Sequence, residues 1–496
     1  MNPFINIALL LFFWVGALFH GYLYEMDYLY ADIFLFICLA AVVFRQKEIK
    51  LRAEHFLLFI FIGLYIISLF YSVDKEKALL EALRVIGLIP LSFLVSIQTT
   101  AGHQVILRSI PWIGIFLVAV GLIFELERQG RLESTLQYAN ALAIFLLLAV
   151  LLSILFYILE RKRSQLILLL INAIGLWLTF SRSVWVLWAL LIVCCIIAFK
   201  QMREKTVLVS IISMHALSLV VSAMIKQDLS AFWNRARNIH TQASEYQLRT
   251  VYWQDSLMMI KDHLWSGTGG GGWSVLLPYY RSEPYFVRFV HNHYLQVGLD
   301  VGVVGIIILV ALIILFYKQA GQTLHTTMDP EKVLWTKGLL IGNTVLLLHS
   351  GFDFDYSFLL LFGLFLFFSG IVSSEGLALS IQLSRIRIPI VILGVLPVVL
   401  CILWIAIGQF YKNQGQAQVE QGEWVKALNS FAQSAKWIPW AASAHYESAK
   451  LYILFGNATQ DRKHYENAKT EISQSVQMVP REQLYQSLLT EIQKIK

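Results

Sequence analysis

Apolar residues occur along this chain in long unbroken runs, separated by short polar stretches. A helix crossing a bilayer needs roughly 20 consecutive apolar residues. On that measure the pattern predicts thirteen spans, at about 4–23, 29–44, 54–72, 79–97, 105–124, 139–159, 165–180, 184–199, 206–225, 292–317, 334–352, 356–374 and 388–409. Two long polar stretches stand out, 226–291 and 410–496. The expected fold is all-α: a polytopic membrane domain over 1–409, a large loop at 226–291 within it, and a helical tail over 410–496.

Composition agrees with that reading. Of 496 residues, 57% are hydrophobic and 14% charged, where a soluble domain carries about 25% charged residues. The first apolar run lacks a basic leader and a small-residue cleavage site, and a second run follows at once, so it reads as a span rather than a cleaved signal. The net charge of +7 bears on topology more than on nucleic acid. Cys38, Cys194, Cys195 and Cys401 all lie inside apolar runs, which predicts neither a disulfide framework nor a thiolate metal site.

Basic residues sort the loops. One alternating set holds Arg45, Lys47, Lys50, Arg52, Arg161, Lys162, Arg163, Lys200, Arg203, Lys205, Lys318, Lys332, Arg385 and Arg387; the other short loops hold only Lys75, Lys77, Arg128, Arg131 and Arg182. Cytoplasmic loops are enriched in Lys and Arg, so the N-terminus is expected inside. An odd span count then puts the tail, the 226–291 loop and the "FSRS" turn outside.

In the tail, "GEWVKALNSFAQSAKWIP" (422–439) has tetratricopeptide-like spacing. Gly422 opens the second helix of a pair, Ala427, Leu428, Phe431 and Ala435 form its apolar stripe, and Pro439 closes it. "YENAKTEISQSVQMVP" (465–480) repeats the pattern with Ala468, Ile472 and Pro480. The prolines are 41 residues apart, against about 34 in an ideal repeat, which predicts an insertion near "FGNATQDRK". A plain helical hairpin packed on the membrane domain is the alternative. Either form suits docking of a protein partner better than catalysis.

Several polar groups sit where spans meet the outer solution. Arg182 lies in a turn of a few residues. A guanidinium there either snorkels to the surface or clamps an anion with its forked donors. Arg235, Arg237, His240, Arg249, Lys261, Arg281 and Arg288 make the large loop basic. Arg249, Trp253 and Leu257, spaced i, i+4, i+8, predict one face of a helix. Glycines 269–272 follow it. They lack the Lys-Ser/Thr of a nucleotide-binding loop and any βαβ context, so a flexible turn is the expectation.

"VHNHYLQVGLDVGVVG" (290–305) brings His291, Asn292 and His293 to a span start. Asn292 is a good N-cap. A neutral imidazole can take a proton from a hydroxyl, and His291, on the loop side of the cap, is the candidate base. A metal site is disfavoured, because histidines at i, i+2 cannot ligate from one helical face. His349, Asp353 and Asp355 in "HSGFDFDY" (349–356) either hold sugar hydroxyls or hydrate a tight turn.

"RLESTLQYANALA" (131–143), "TFSRSVWV" (179–186), "RTVYWQDSL", "GTGGGGW" and "HNHYLQVGLDVGVVG" resemble, in this order, motifs of the O-antigen ligase/polymerase superfamily of bacterial membrane glycosyltransferases. Asp300 stands where that family more often has glutamate. The resemblance implies a GT-C-like helical fold and metal-independent, cofactor-free transfer from an undecaprenyl-diphosphate-linked glycan, with inversion at C1. It implies His291 as base and Arg182 and Arg249 as the diphosphate clamp. Arg131, Asn292, His349 and Asp353 are further candidates for substrate binding. The acceptor it implies is a glycan, lipid, wall polymer or protein, and the enzyme a ligase, polymerase or protein-glycosylating form. A transporter or flippase for a charged or lipid-linked substrate is the rival class. It predicts inverted repeats, broken helices and ionisable groups near mid-membrane, whereas the polar groups here gather at one surface. A scaffold is a third reading, for which so many spans are excessive.

Overall fold

A computed structural model of the chain describes residues 3–237, 243–373, 378–383 and 386–494. His240 and Arg385 lie outside the described residues. The fold is helical, with two small antiparallel sheets. Among the described residues seven helices are long and apolar enough to cross a membrane, and five shorter apolar helices accompany them.

The helix Ala139–Glu160 is the centre. Nearly all of its residues, from Ala139 to Ile158, are buried, as expected of a segment that is apolar on every side. Around it pack Thr100–Ile123, Arg163–Leu178, Arg182–Ala198 and Pro330–Ser350.

Contacts sort the loops to two ends of this bundle. At one end Glu48–Arg52 pairs with Ala378–Gln382, Glu48 opposite Gln382 and Arg52 opposite Ala378. Arg161 bonds Glu204 at 2.8 Å, and Lys337 donates to the Ala198 carbonyl. This is the lysine- and arginine-rich end. The segments carrying Arg131, Arg182, Arg249, His291 and Asp353 meet at the other.

The predicted span at 292–317 is not one regular helix. His293–Thr326 is interrupted at Val301 and at Gly302, whose φ is +72°. The break frees carbonyls that would be costly unpaired in a low-dielectric interior. The "SGTGG" loop satisfies two of them, the Thr268 and Gly269 amides donating to the Leu299 and Asp300 carbonyls, and the Val303 amide beyond the break donates to the Leu264 carbonyl. The glycines are therefore a close-packed turn rather than a flexible one. A Cβ on Gly269 would fall 2.3 Å from the Ser72 side chain, and one on Gly270 2.3 Å from that of Glu81.

The composition change at 410 falls inside a helix, Leu396–Glu420, whose Gly415 packs under Phe431. The tail continues as Trp424–Trp437, Ala442–Thr459, Arg462–Met478 and Gln483–Lys494. Gly422, at φ +76°, makes the turn into Trp424–Trp437. At "FGNATQDRK" a tight turn at Gln460 and Asp461 joins two helices of 18 and 17 residues. The tail rests on the membrane domain: Lys412 and Ser443 both bond Glu76 at 2.9 Å, and Val275 joins the tail's apolar core.

Candidate active site

Asp353 is the hub. It sits in the turn between Pro330–Ser350 and Leu359–Val372 and is fully buried. Its carboxylate accepts from Tyr138 Oη at 2.8 Å, Asn140 Nδ2 at 2.7 Å and His291 Nδ1 at 3.1 Å, and pairs with Arg249 Nη2 at 3.4 Å. Burial opposes ionisation, but the Arg249 charge and the His291 bond outweigh it and hold the carboxyl below the usual range. Arg249 also donates to the Phe352 carbonyl at 2.7 Å.

His291 has a left-handed backbone, φ +54°, a conformation few non-glycine residues adopt. Trp253 Nε1 holds its carbonyl at 3.2 Å. With Nδ1–H given to Asp353, Nε2 is left as the nitrogen that can take a proton. Asn292 caps the following helix, accepting from the Leu295 amide at 3.1 Å, and its Nδ2 donates to the Gly351 carbonyl at 2.9 Å. One residue thus fixes both the helix start and the Asp353 turn. His293 takes a separate course, buried edge-on against Tyr356 and Phe362.

The arginine turn is tied to the hub through neighbours. Arg182 is the first residue of Arg182–Ala198 and is half-buried. Ser181 Oγ donates to Asn140 Oδ1 at 2.9 Å, and Ser183 Oγ lies 3.2 Å from His349 Nε2. Arg131 donates to the Thr179 carbonyl at 2.9 Å and to Asn140 Oδ1 at 2.6 Å, and Arg235 donates to the Phe180 carbonyl at 3.3 Å. Arg131 therefore braces the turn that presents Arg182. His349 Nδ1 contacts Asp355 Oδ2 at 2.7 Å.

Residues 166–310 match the family model of O-antigen ligases. No curated protein matches the chain. The matched segment carries Arg182, Arg249, His291 and Asn292, while Arg131, His349 and Asp353 lie beyond it. Together with the apolar helices, this similarity supports a membrane-embedded protein of the glycosyltransferase or ligase type.

Side-chain hydrogen bonds link Arg131, Arg249, His291, His349 and Asp353 through Asn140, Ser181 and Ser183; Asn292 bonds the backbone of the Asp353 turn, and Arg182 stands in sequence between Ser181 and Ser183. Arg288 instead pairs with Glu25, and Arg281 bonds the Tyr285 carbonyl. Leu257 is 54% exposed, whereas Arg249 and Trp253 of the same helix reach the Phe352 and His291 carbonyls. Tyr138 and Asn140 are additions; both donate to the Asp353 carboxylate, and both lie inside "QYANALA".

Proposed function

We propose that the protein transfers or polymerises glycan from an undecaprenyl-diphosphate-linked donor onto an acceptor hydroxyl, at the outer face of the bacterial cytoplasmic membrane. The observation that carries this reading is the His291–Asp353 dyad beside Arg249. His291 Nε2 accepts the hydroxyl proton while Asp353 stabilises the imidazolium. The acceptor oxygen attacks C1 in line and inverts it. Arg182 and Arg249 neutralise the charge that grows on the departing diphosphate. The step needs no metal, because two guanidiniums supply the positive charge.

A groove of about 400 Å³ lined by Trp253, Tyr294, Tyr317, Leu347, Leu348 and Phe352 adjoins Arg249. It suits the first isoprenyl units of the donor. The domain crosses the bilayer thirteen times, with the N-terminus inside. The tail is a tetratricopeptide-like module outside, suited to docking a protein partner.

The broken helix, the half-buried Glu81 and the buried Arg84 and Asp300 are features a transporter would share. The cavity between them is about 20 Å³, room for a single water, which favours the transferase.

Two assays test the reading. Purified protein is given undecaprenyl-diphosphate glycan from the organism's own membranes, and transfer is followed. The glycans of a deletion strain are profiled: short unpolymerised units point to a polymerase, full-length lipid-linked polymer to a ligase. An unchanged profile with no transfer in vitro removes the proposal.

A further inference from the structure

A second His–Asp pair stands beside the first and has no part in the chemistry above. His349 and Asp355 are 0% and 1% exposed. His349 Nδ1 lies 2.7 Å from Asp355 Oδ2, which also accepts from Ser350 Oγ. His349 Nε2 lies 3.2 Å from Ser183 Oγ. Carboxylate, imidazole and hydroxyl thus form a chain running from the buried Asp355 turn to the half-buried first turn of Arg182–Ala198.

A histidine that merely packs needs no such partners. His215 and His293 are buried with neither ring nitrogen hydrogen-bonded. His349 has both engaged, and its outer partner is adjacent in sequence to Arg182. With Nδ1–H held by Asp355, the Nε2–Ser183 bond has two forms. A neutral ring accepts the hydroxyl proton. A protonated ring donates to Oγ and releases the hydroxyl proton toward another acceptor. Ser181, the neighbouring hydroxyl at 3.4 Å, already donates to Asn140. The first amides of a helix have no intrahelical acceptor and favour an anion in front of them.

We propose that Asp355, His349 and Ser183 form a proton relay to the leaving diphosphate, with Ser183 as the group that meets it. This rests on the transfer reading above. As the C1–O bond breaks, its electron pair goes to the diphosphate oxygen. Ser183 Oγ gives that oxygen its proton and takes one from His349 Nε2, leaving the ring neutral against Asp355. The acceptor's proton goes separately to His291, which passes it to solvent after transfer, while the proton from His349 leaves on the lipid diphosphate. His349 returns to its charged form by taking a proton from solvent when the lipid diphosphate departs. In this arrangement His349 is a positioning residue acting through Ser183, and the two dyads divide base and acid between them.

The test uses the purified full chain and undecaprenyl-diphosphate glycan from the organism's membranes. Ser183→Ala, Ser183→Thr, His349→Gln and His291→Ala are compared at matched thermal stability. The expected result is a kcat about a hundredfold lower in Ser183→Ala, the lower end of what a positioned proton donor contributes. Its KM for donor should stay within about threefold, and Ser183→Thr, which keeps the hydroxyl, should recover most of the turnover. His349→Gln should resemble Ser183→Ala if it folds; the serine pair decides the matter if it does not. Normal kcat in Ser183→Ala, a defect confined to KM, or a threonine variant no better than alanine overturns the relay. A parent that transfers, is silenced by His291→Ala and ignores Ser183→Ala keeps the function and loses the relay. A parent inert with this donor removes both.

Discussion

Nδ1 of His291 lies 3.1 Å from Oδ1 of Asp353, across 62 residues of sequence. The pair joins the start of one helix to the turn after another, and Arg249 closes it from a third. The imidazole is therefore oriented by a carboxylate whose charge is itself held in place by a cation.

Asp353→Asn should lose both activity and stability. The amide cannot accept from Tyr138, Asn140 and His291 at once, and it leaves Arg249 without its buried anion. Removing one member of a buried pair costs roughly 3–5 kcal/mol. The pH dependence gives the sign. Asp353's folded-state pKa is depressed below an unfolded value of about 3.9. Its contribution is present above that pH and is lost as pH falls through the folded-state value. Melting curves of parent and variant should thus differ most near neutrality and converge in acid. A constant gap from neutral to acid pH would remove the charge account.

Arg182→Lys should not be conservative. Lysine keeps the charge but cannot hold two phosphate oxygens with one planar fork. Turnover should fall about tenfold or more, equivalent to roughly 1.4 kcal/mol of transition-state stabilisation. Steady-state assay at saturating donor reads this directly. A lysine variant with parental turnover would reduce Arg182 to an interfacial charge.

His291→Ala and His293→Ala should separate cleanly. Loss of a general base typically costs about 10²–10⁴-fold, with the fold intact because His291 is half-buried at a turn. His293 makes only ring contacts, so its loss should lower melting temperature and yield while sparing turnover. Equal transfer by His291→Ala and the parent at matched folding would end the catalytic reading of this stretch.

Much of this was legible because bilayer-length apolar runs and positions such as Asn292 leave local signals. The Asn292 cap could be read from its own neighbourhood. The Tyr138–Asp353 bond could not, since it spans 215 residues and nothing near Tyr138 names its partner. The break at Val301–Gly302 was hidden for another reason: valine and glycine leave the apolar run uninterrupted, and the backbone partners that permit the break lie in another loop. The glycines at 269–272 read as flexible because sequence shows missing side chains, not the Ser72 and Glu81 atoms that fill the space.

The large loop and the tail should label from the same side of the membrane. Val275 lies in the tail's core and Lys77 pairs with Glu482 at 3.5 Å. Glu283 and Ser473 are exposed, as is Lys162 at the basic end, whereas Ser475 is buried and would react poorly. Cysteines at Glu283 and Ser473 should both react with an impermeant maleimide on intact cells, and one at Lys162 only after permeabilisation. Labelling of one but not the other of the first pair would contradict the shared face.

Gly302→Ala should destabilise the helix break that positions the His291 segment. Gly302 has φ +72° and ψ −172°, a region essentially confined to glycine, where strain costs on the order of 1–3 kcal/mol. The new Cβ would also stand 2.3 Å from the Trp265 carbonyl oxygen. That atom is backbone and cannot swing aside, so the loop holding Thr268 and Gly269 against Leu299 and Asp300 must shift. Gly321, in the same helix, has nothing within 4 Å of an added Cβ. Alanine there should be neutral or stabilising by about 0.5–1 kcal/mol. Thermal melts in one detergent should rank Gly321→Ala at or above the parent and Gly302→Ala clearly below it, with transfer falling in the latter. If both variants melt with the parent, the glycine is not what permits the break, and the loop contacts alone must hold it.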